Sequence, residues 1–120
     1  MKSLKEIRRY LHANPEVSGE ERNTSKFIYE ELQENCSADE LKRLDCHAVI
    51  ARFKSKKPGK TIMIRGDIDA LPIQETNDFG HRSNFDGVSH KCGHDGHTTI
   101  LIGLARKLSQ ERPDAGEVIL

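Results

Sequence analysis

The segment TIMIRGDID, residues 61–69, joins a short apolar run to two closely spaced aspartates. Three of its first five residues, Ile62 to Ile64, form an apolar run, which is typical of a strand buried on both faces of a sheet. A long irregular stretch follows, then an apolar helical pattern over residues 98–108, and then the start of another apolar strand at 117–120. This strand–helix–strand order predicts a parallel strand pair, and therefore an α/β fold with a mixed or parallel sheet flanked by helices.

The residues before this segment predict two amphipathic helices and one more strand. The motif SLKE, residues 3–6, is a capping box, and apolar residues at helical spacing follow it to about Ala13. The motif SGEE, residues 18–21, has the same pattern and predicts a second helix that ends near Glu34. The run CHAVIARF, residues 46–53, is typical of a strand.

The composition indicates one small domain with a modest core. The chain has 120 residues, of which 35% are hydrophobic, so we expect part of its apolar surface to need a partner segment. Its 19 basic and 19 acidic residues balance, which argues against a nucleic acid or an anionic membrane as the main partner. There is no membrane-spanning run or secretory pattern, and three scattered cysteines do not form a disulfide framework. We therefore expect a cytoplasmic location.

The motif SHKCGHDGH, residues 89–97, concentrates the side chains that are best suited to bind a metal. Cys92 and His94 offer a thiolate and an imidazole, which can ligate one divalent metal or line a two-metal site. The glycine between them lets the backbone turn so that both side chains converge. Two ligands do not hold a catalytic metal, so others must come from elsewhere in the fold. A buried cysteine beside a loop histidine is the alternative interpretation.

Asp67 and Asp69 form a second candidate group at the end of the predicted strand. Sites in α/β sheets lie at the carboxyl ends of strands, and the alternation of side chains puts both carboxylates on one face. Such a carboxylate can ligate a metal, orient a ligating imidazole or tune a general base. The alternative is a turn in which the aspartates accept hydrogen bonds from backbone amides.

The remaining polar residues give weaker signals. For Asp95 the pattern favours a helix N-cap over a role as partner of the neighbouring histidine. His97 lies in the first helical turn, where it can donate to a substrate or simply pack. Lys91 either favours the adjacent thiolate by its charge or points into solvent. His90 has no defined partner. Surface or packing roles are predicted for three isolated histidines: His12, His47 and His81.

Four blocks together resemble a family of dinuclear-metal amidohydrolases and peptidases. That family includes hippurate hydrolases, N-acyl-amino-acid amidohydrolases, plant auxin-conjugate hydrolases and N-acetyldiaminopimelate deacetylases. The blocks are RRYLHANPE (8–16, with Ser18 and Glu21), RGDIDALPI (65–73), CGHDGHTT (92–99) and GEVIL (116–120). They follow the family's order and span almost the whole chain, so their combined spacing is far more specific than any single block.

The resemblance implies a metal centre and a reaction. It assigns Cys92 and His94 as metal ligands, and it places Asp69 beside the metals, where it supports ligand orientation. It implies two divalent ions, which can be Zn, Mn, Co or Ni because mixed sulfur, nitrogen and oxygen sites accept several metals. The implied reaction is hydrolysis of the amide bond of an N-acyl amino acid or small peptide, with a glutamate as general base and then acid.

The resemblance also implies that residues 1–120 are the N-terminal part of a zinc-peptidase-like catalytic domain. The general-base glutamate, the remaining ligands and a smaller lid domain, through which a homodimer is possible, are expected beyond Leu120. We therefore expect a hydrolase at full length and an inactive 120-residue chain. The alternative is a truncated chain that only binds metal weakly or oligomerises.

Overall fold

The computed structural model describes residues 1–120 as three helices and a four-stranded mixed sheet. In chain order the elements are α1 (Leu4–Ala13), α2 (Arg22–Asn35), β1 (Glu40–Arg43), β2 (Val49–Lys54), β3 (Thr61–Met63), α3 (His94–Gln110) and β4 (Glu117–Ile119). The strand order is β1-β2-β4-β3. Strands β3 and β4 are parallel and are joined through α3, whereas the other two pairs are antiparallel. The predicted α/β class and the parallel pair are confirmed.

The core lies where the three helices meet β2. Ile7 of α1, Phe53 of β2 and Ala105 of α3 are completely buried. Six further apolar side chains complete this cluster: Leu11, Ile28, Leu32, Ala51, Ile102 and Leu108. Because α1 and α3 share this core, the end of α1 is held against the beginning of α3.

The two N-terminal helices begin differently. In α1 the predicted capping box is present: the Ser3 hydroxyl accepts from the Glu6 amide, and the Glu6 carboxylate accepts from the Ser3 amide. The second predicted capping box is wrong, because the Glu16 carboxylate reaches the first turn of α2 and accepts from the amide of Thr24 and that of the residue before it. Ser18 is left exposed and makes no hydrogen bond to the helix.

The sheet differs from expectation at both edges. The sequence pattern does not predict β1, because its residues ELKR carry three charges and no apolar alternation. Strand β2 begins at Val49 instead of 46, since a turn with His47 at a φ of 67° links it to β1. The expected burial of β3 is wrong for this chain: Ile62 is 56% exposed and Met63 is 68% exposed. Successive side chains point to opposite faces, and no helix packs closely over either face of this edge strand.

The segment between β3 and α3 is irregular over residues 64–93, as the sequence predicts for residues 72–93. Helix α3 begins at His94, four residues earlier than the apolar pattern indicates. The residue before it, Gly93, has a φ of 96°, a left-handed conformation that glycine adopts without strain. No helix of the structure has the length and apolar character needed to cross a membrane.

Candidate metal centre

Asp67, Asp69 and His94 lie together where the chain leaves β3 and where α3 begins. Each offers one ligand atom, and these atoms all lie within 4.8 Å of one another. Asp67 is exposed, whereas the other two residues are half-buried. Two carboxylates and one imidazole suit first-row divalent metals. The structure therefore brings together both predicted aspartates and one of the two predicted ligands.

The imidazole of His94 is oriented by Asp69 through one of its ring nitrogens. Nδ1 of His94 lies 2.8 Å from the backbone oxygen of Asp69 and 3.0 Å from its carboxylate Oδ1. Because a carbonyl oxygen only accepts, Nδ1 is the donor, and Nε2 is the ring nitrogen that remains for a metal. Histidines that bind metals commonly donate their other N–H to a carboxylate or a backbone carbonyl. The arrangement at His94 fits a metal ligand.

The segment that carries the aspartates is held by hydrogen bonds from two sides. The Ala70 amide donates to the backbone oxygen of Glu16 at 2.8 Å, which ties the segment to the turn before α2. The Thr98 hydroxyl of α3 lies 3.4 Å from the backbone oxygen of Asp67. The Asp67 carboxylate itself pairs with Arg65 at 2.6 Å. These contacts fix the backbone of the segment while leaving its carboxylates near His94.

Cys92 lies on the loop just before α3, with an exposed and free thiol. It is not one of the three residues whose ligand atoms lie within 4.8 Å of one another. Its neighbour Lys91 forms an ion pair with the buried Glu75. This pair differs from both roles predicted for Lys91, which are to favour the adjacent thiolate or to point into solvent. The assignment of Cys92 as a ligand stays a prediction.

A buried polar cluster adjoins the candidate metal ligands, and we call it the His12 cluster after its members His12, Glu75 and Asp95. Nδ1 of His12 lies 2.8 Å from Oδ2 of Asp95, and Nε2 lies 3.0 Å from Oε1 of Glu75. Asp95 is 2% exposed and Glu75 is 5% exposed. The predicted N-cap role of Asp95 is wrong, because Gly93 occupies that position and the Asp95 carboxylate faces α1 instead.

Both carboxylates of the His12 cluster are ionised at neutral pH. Burial alone would raise the pKa of Glu75, but hydrogen bonds from Lys91, the Ser83 amide and His12 outweigh it and lower the pKa to about 2. Burial also opposes ionisation of Asp95, whose pKa is nevertheless lowered, chiefly by the hydrogen bond from His12. Since ionised carboxylates only accept, both ring nitrogens of His12 donate. His12 therefore bridges two buried anions, one at each ring nitrogen.

Comparison with known proteins identifies the family. Residues 63–120 match the model of peptidase family M20/M25/M40. The chain belongs to this family. The M20 chain is 49% identical over 112 residues to the N-acyl-L-amino acid amidohydrolase of Geobacillus stearothermophilus, covering 92% of this chain and 30% of that protein. It is 42% identical over 108 residues to thermostable carboxypeptidase 2 of Saccharolobus solfataricus, covering 89% of this chain and 27% of that protein.

A solved structure gives the same result. The M20 chain superposes on the Bacillus subtilis YXEP protein, described as a dinuclear metal binding peptidase of family M20, with a TM-score of 0.87 and 42% identity. The match covers 97% of this chain and 33% of that one. The M20 chain thus spans about a third or less of the length of the relatives it matches.

The other histidines of the M20 chain have distinct environments. His90 is 6% exposed, neither of its ring nitrogens has a hydrogen-bond partner, and its burial lowers its pKa. His81 stacks on Phe79 with ring centroids 4.0 Å apart, so the packing role predicted for it is confirmed. His97 is exposed in the first turn of α3, with its ring 5.9 Å from that of His94.

Sequence reasoning missed the His12 cluster. The surface or packing role predicted for His12 is wrong, because its partners lie 63 and 83 residues further along the chain and no local pattern connects them. Glu75 lies in the irregular loop and gives no signal of its own. The one available signal for His12 is its place in RRYLHANPE, a block that carries the family resemblance.

Proposed function

We propose that this M20 chain carries part of the dinuclear metal centre of a hydrolase that cleaves the amide bond of N-acyl amino acids or small peptides. The observation that carries the proposal is the orientation of His94, whose Nδ1 donates to Asp69 and whose Nε2 is left free for a metal. The names of two relatives, an N-acyl-L-amino acid amidohydrolase and a carboxypeptidase, support hydrolysis of an amide bond.

We assign Cys92 and His94 as metal ligands and Asp69 as the residue that orients the imidazole. The exposed thiol of Cys92 belongs to a residue only two positions before His94. Asp67 is a further carboxylate within reach of the same site. When bound, the two divalent ions supply Lewis-acid polarisation of the scissile carbonyl and a nucleophile at neutral pH.

The chain supplies only part of the machinery. Two assigned ligands and one orienting carboxylate do not complete two metal sites, and none of these residues is placed to act as general base. We assign the general-base glutamate, the remaining ligands and the lid domain to residues beyond Leu120. The 120-residue chain alone is then inactive.

We place the full-length enzyme in the cytoplasm. All three cysteines of the chain are free: Cys36, Cys46 and Cys92. A reducing compartment keeps thiols free and keeps the thiol of Cys92 available to a metal.

A second candidate function is weak metal binding by the chain itself. One observation favours it: the ligand atoms of Asp67, Asp69 and His94 lie within 4.8 Å of one another without help from any other segment. Three ligands from one chain can hold a metal when water fills the remaining positions.

The experiment that separates these candidates is metal content after dialysis, measured by plasma mass spectrometry. It compares the 120-residue chain with a protein extended to the length of its relatives. The proposal predicts about two metal ions per extended protein, little metal in the short chain, and hydrolysis of N-acetyl amino acids or dipeptides only by the extended protein. Near-stoichiometric metal in the short chain would favour the second candidate.

A further inference from the structure

One branch of hydrogen bonds leads from His12 to the residue after His94. Nδ1 of His12 donates to Oδ2 of Asp95 at 2.8 Å. The Asp95 side chain is 2% exposed, so water does not compete for this bond. Asp95 lies in the first turn of α3 beside His94, so this bond holds that turn against the end of α1.

A second branch leads from the same ring to the residue before Cys92. Nε2 of His12 donates to Oε1 of Glu75 at 3.0 Å. The other carboxylate oxygen of Glu75 accepts from the ammonium group of Lys91, which directly precedes Cys92. The Glu75 side chain is also 2% exposed. The ring of His12 is thus linked to a neighbour of each assigned ligand, to Asp95 directly and to Lys91 through Glu75.

The backbone between the two ligands cannot do this work itself. Only Gly93 separates Cys92 from His94, and it adopts a φ of 96° without a side chain to restrict it. Gly93 therefore does not by itself fix the thiol of Cys92 relative to the imidazole of His94. His12 is suited to hold them, because it lies in the last turn of α1, a helix anchored in the core by Ile7 and Leu11.

We propose that His12 is a positioning residue of the metal centre, which fixes Cys92 and His94 relative to each other through Glu75 and Asp95. This inference rests on the proposed function, because it takes Cys92 and His94 to be ligands. His12 itself does not touch the metals, since both of its ring nitrogens are occupied.

The test uses the full-length protein loaded with Co²⁺. A thiolate-to-cobalt band in the near ultraviolet reports on Cys92, and the visible bands report on the whole coordination shell. His12→Ala is expected to weaken Co²⁺ binding about 10-fold to 100-fold, the usual effect of removing a residue that supports metal ligands. Added imidazole is expected to restore part of this affinity, because it can fill the space that the ring leaves and bond to the same two carboxylates.

The two branches are separated by isosteric variants. Glu75→Gln is expected to weaken the thiolate band, whereas Asp95→Asn is expected to shift the visible bands and retain the thiolate band. The matched control is Glu31→Gln, which removes another buried carboxylate charge. Glu31 pairs with Arg106, which lies on α3 as Asp95 does, but the pair is outside the His12 cluster. It is expected to lower stability without changing Co²⁺ affinity or either spectrum.

Each outcome has a definite meaning. Wild-type protein that binds no Co²⁺ overturns the proposed function and this inference with it. A wild-type thiolate band together with unchanged affinity and spectra in folded His12→Ala overturns this inference alone. If His12→Ala does not fold, the isosteric variants decide: unchanged binding and spectra in both Glu75→Gln and Asp95→Asn also overturn it.

Discussion

His94 and His12 are both held by carboxylates, yet their ring nitrogens are used in different ways. His94 donates through Nδ1 to Asp69 and keeps Nε2 free. His12 uses both nitrogens on buried carboxylates. Each ring nitrogen of His12 already has a carboxylate partner, so neither is left over for a metal. At the scale of the residue, this difference is the basis on which we assign His94 as a ligand and His12 as a residue that supports ligands.

The first prediction at this scale concerns the two assigned ligands. In the full-length protein, Cys92→Ser and His94→Ala should each remove most of the activity and lower the metal content, because each removes an atom that we assign as a metal ligand. Plasma mass spectrometry and hydrolysis of an N-acetyl amino acid measure the two effects. Cys46→Ser is the matched control, since Cys46 is likewise exposed and free. Unchanged rate and metal content in both ligand variants would refute the assignment.

The second prediction concerns the pH dependence that Glu75 gives to folding. Its pKa is about 2 in the fold, against an ordinary value of 4.5. A carboxyl group whose pKa is lower in the folded state than in the unfolded state stabilises the fold at any pH above its unfolded pKa. This contribution is lost as the pH falls from 4.5 toward 2. The shift corresponds to about 3 kcal/mol at neutral pH.

Glu75→Gln should therefore lower the free energy of unfolding by up to about 3 kcal/mol at pH 7 and by much less near pH 2 to 3. Urea unfolding at both pH values measures this difference. Asp78→Asn, a fully exposed carboxylate on the same loop, is the control and should change the free energy by less than about 0.5 kcal/mol. A penalty for Glu75→Gln that does not vary with pH would contradict the prediction.

At the scale of the element, local sequence patterns predict the helix and strand ends that neighbouring residues determine, and they miss those that distant residues determine. The capping box of Ser3 and Glu6 encodes the start of α1 within four residues, so the sequence predicts it. The start of α2 depends on Glu16, which reaches over from the preceding turn, so the local pattern at Ser18 misleads. Strand β1 has no apolar alternation and exists because β2 offers it a partner.

The prediction at this scale tests which residue caps α2. Glu16→Ala should lower the free energy of unfolding by about 1 kcal/mol, because it removes the acceptor of the first-turn amides of Asn23 and Thr24. Ser18→Ala is the control and should have almost no effect, since Ser18 is exposed and bonds to no helix amide. Thermal or urea unfolding measures both variants. A larger loss for Ser18→Ala than for Glu16→Ala would restore the capping box.

At the scale of the whole molecule, the chain exposes apolar surface beside its candidate site. A groove of about 540 Å³, lined mainly by apolar side chains such as Met63, Leu101 and Ile119, also contains Asp67 and Asp69. The low apolar content of the chain predicts that part of its apolar surface needs a partner segment. The sequence also predicts the aspartate pair, because Asp67 and Asp69 closely follow the strand that positions them. It does not predict the His12 cluster, because that cluster forms only when α1, the loop and α3 meet in space.

The last prediction follows from this exposed surface and from our assignment of the rest of the catalytic domain to residues beyond Leu120. If those residues cover β3, Met63 should be oxidised by peroxide rapidly in the 120-residue chain, where it is 68% exposed, and slowly in the full-length protein. Met1, the other methionine, is 87% exposed and serves as an internal control whose rate should be similar in both. Mass spectrometry of the two methionine peptides gives both rates from one sample. Equal rates for Met63 and Met1 in the full-length protein would show that the residues beyond Leu120 leave the face of β3 that carries Met63 uncovered.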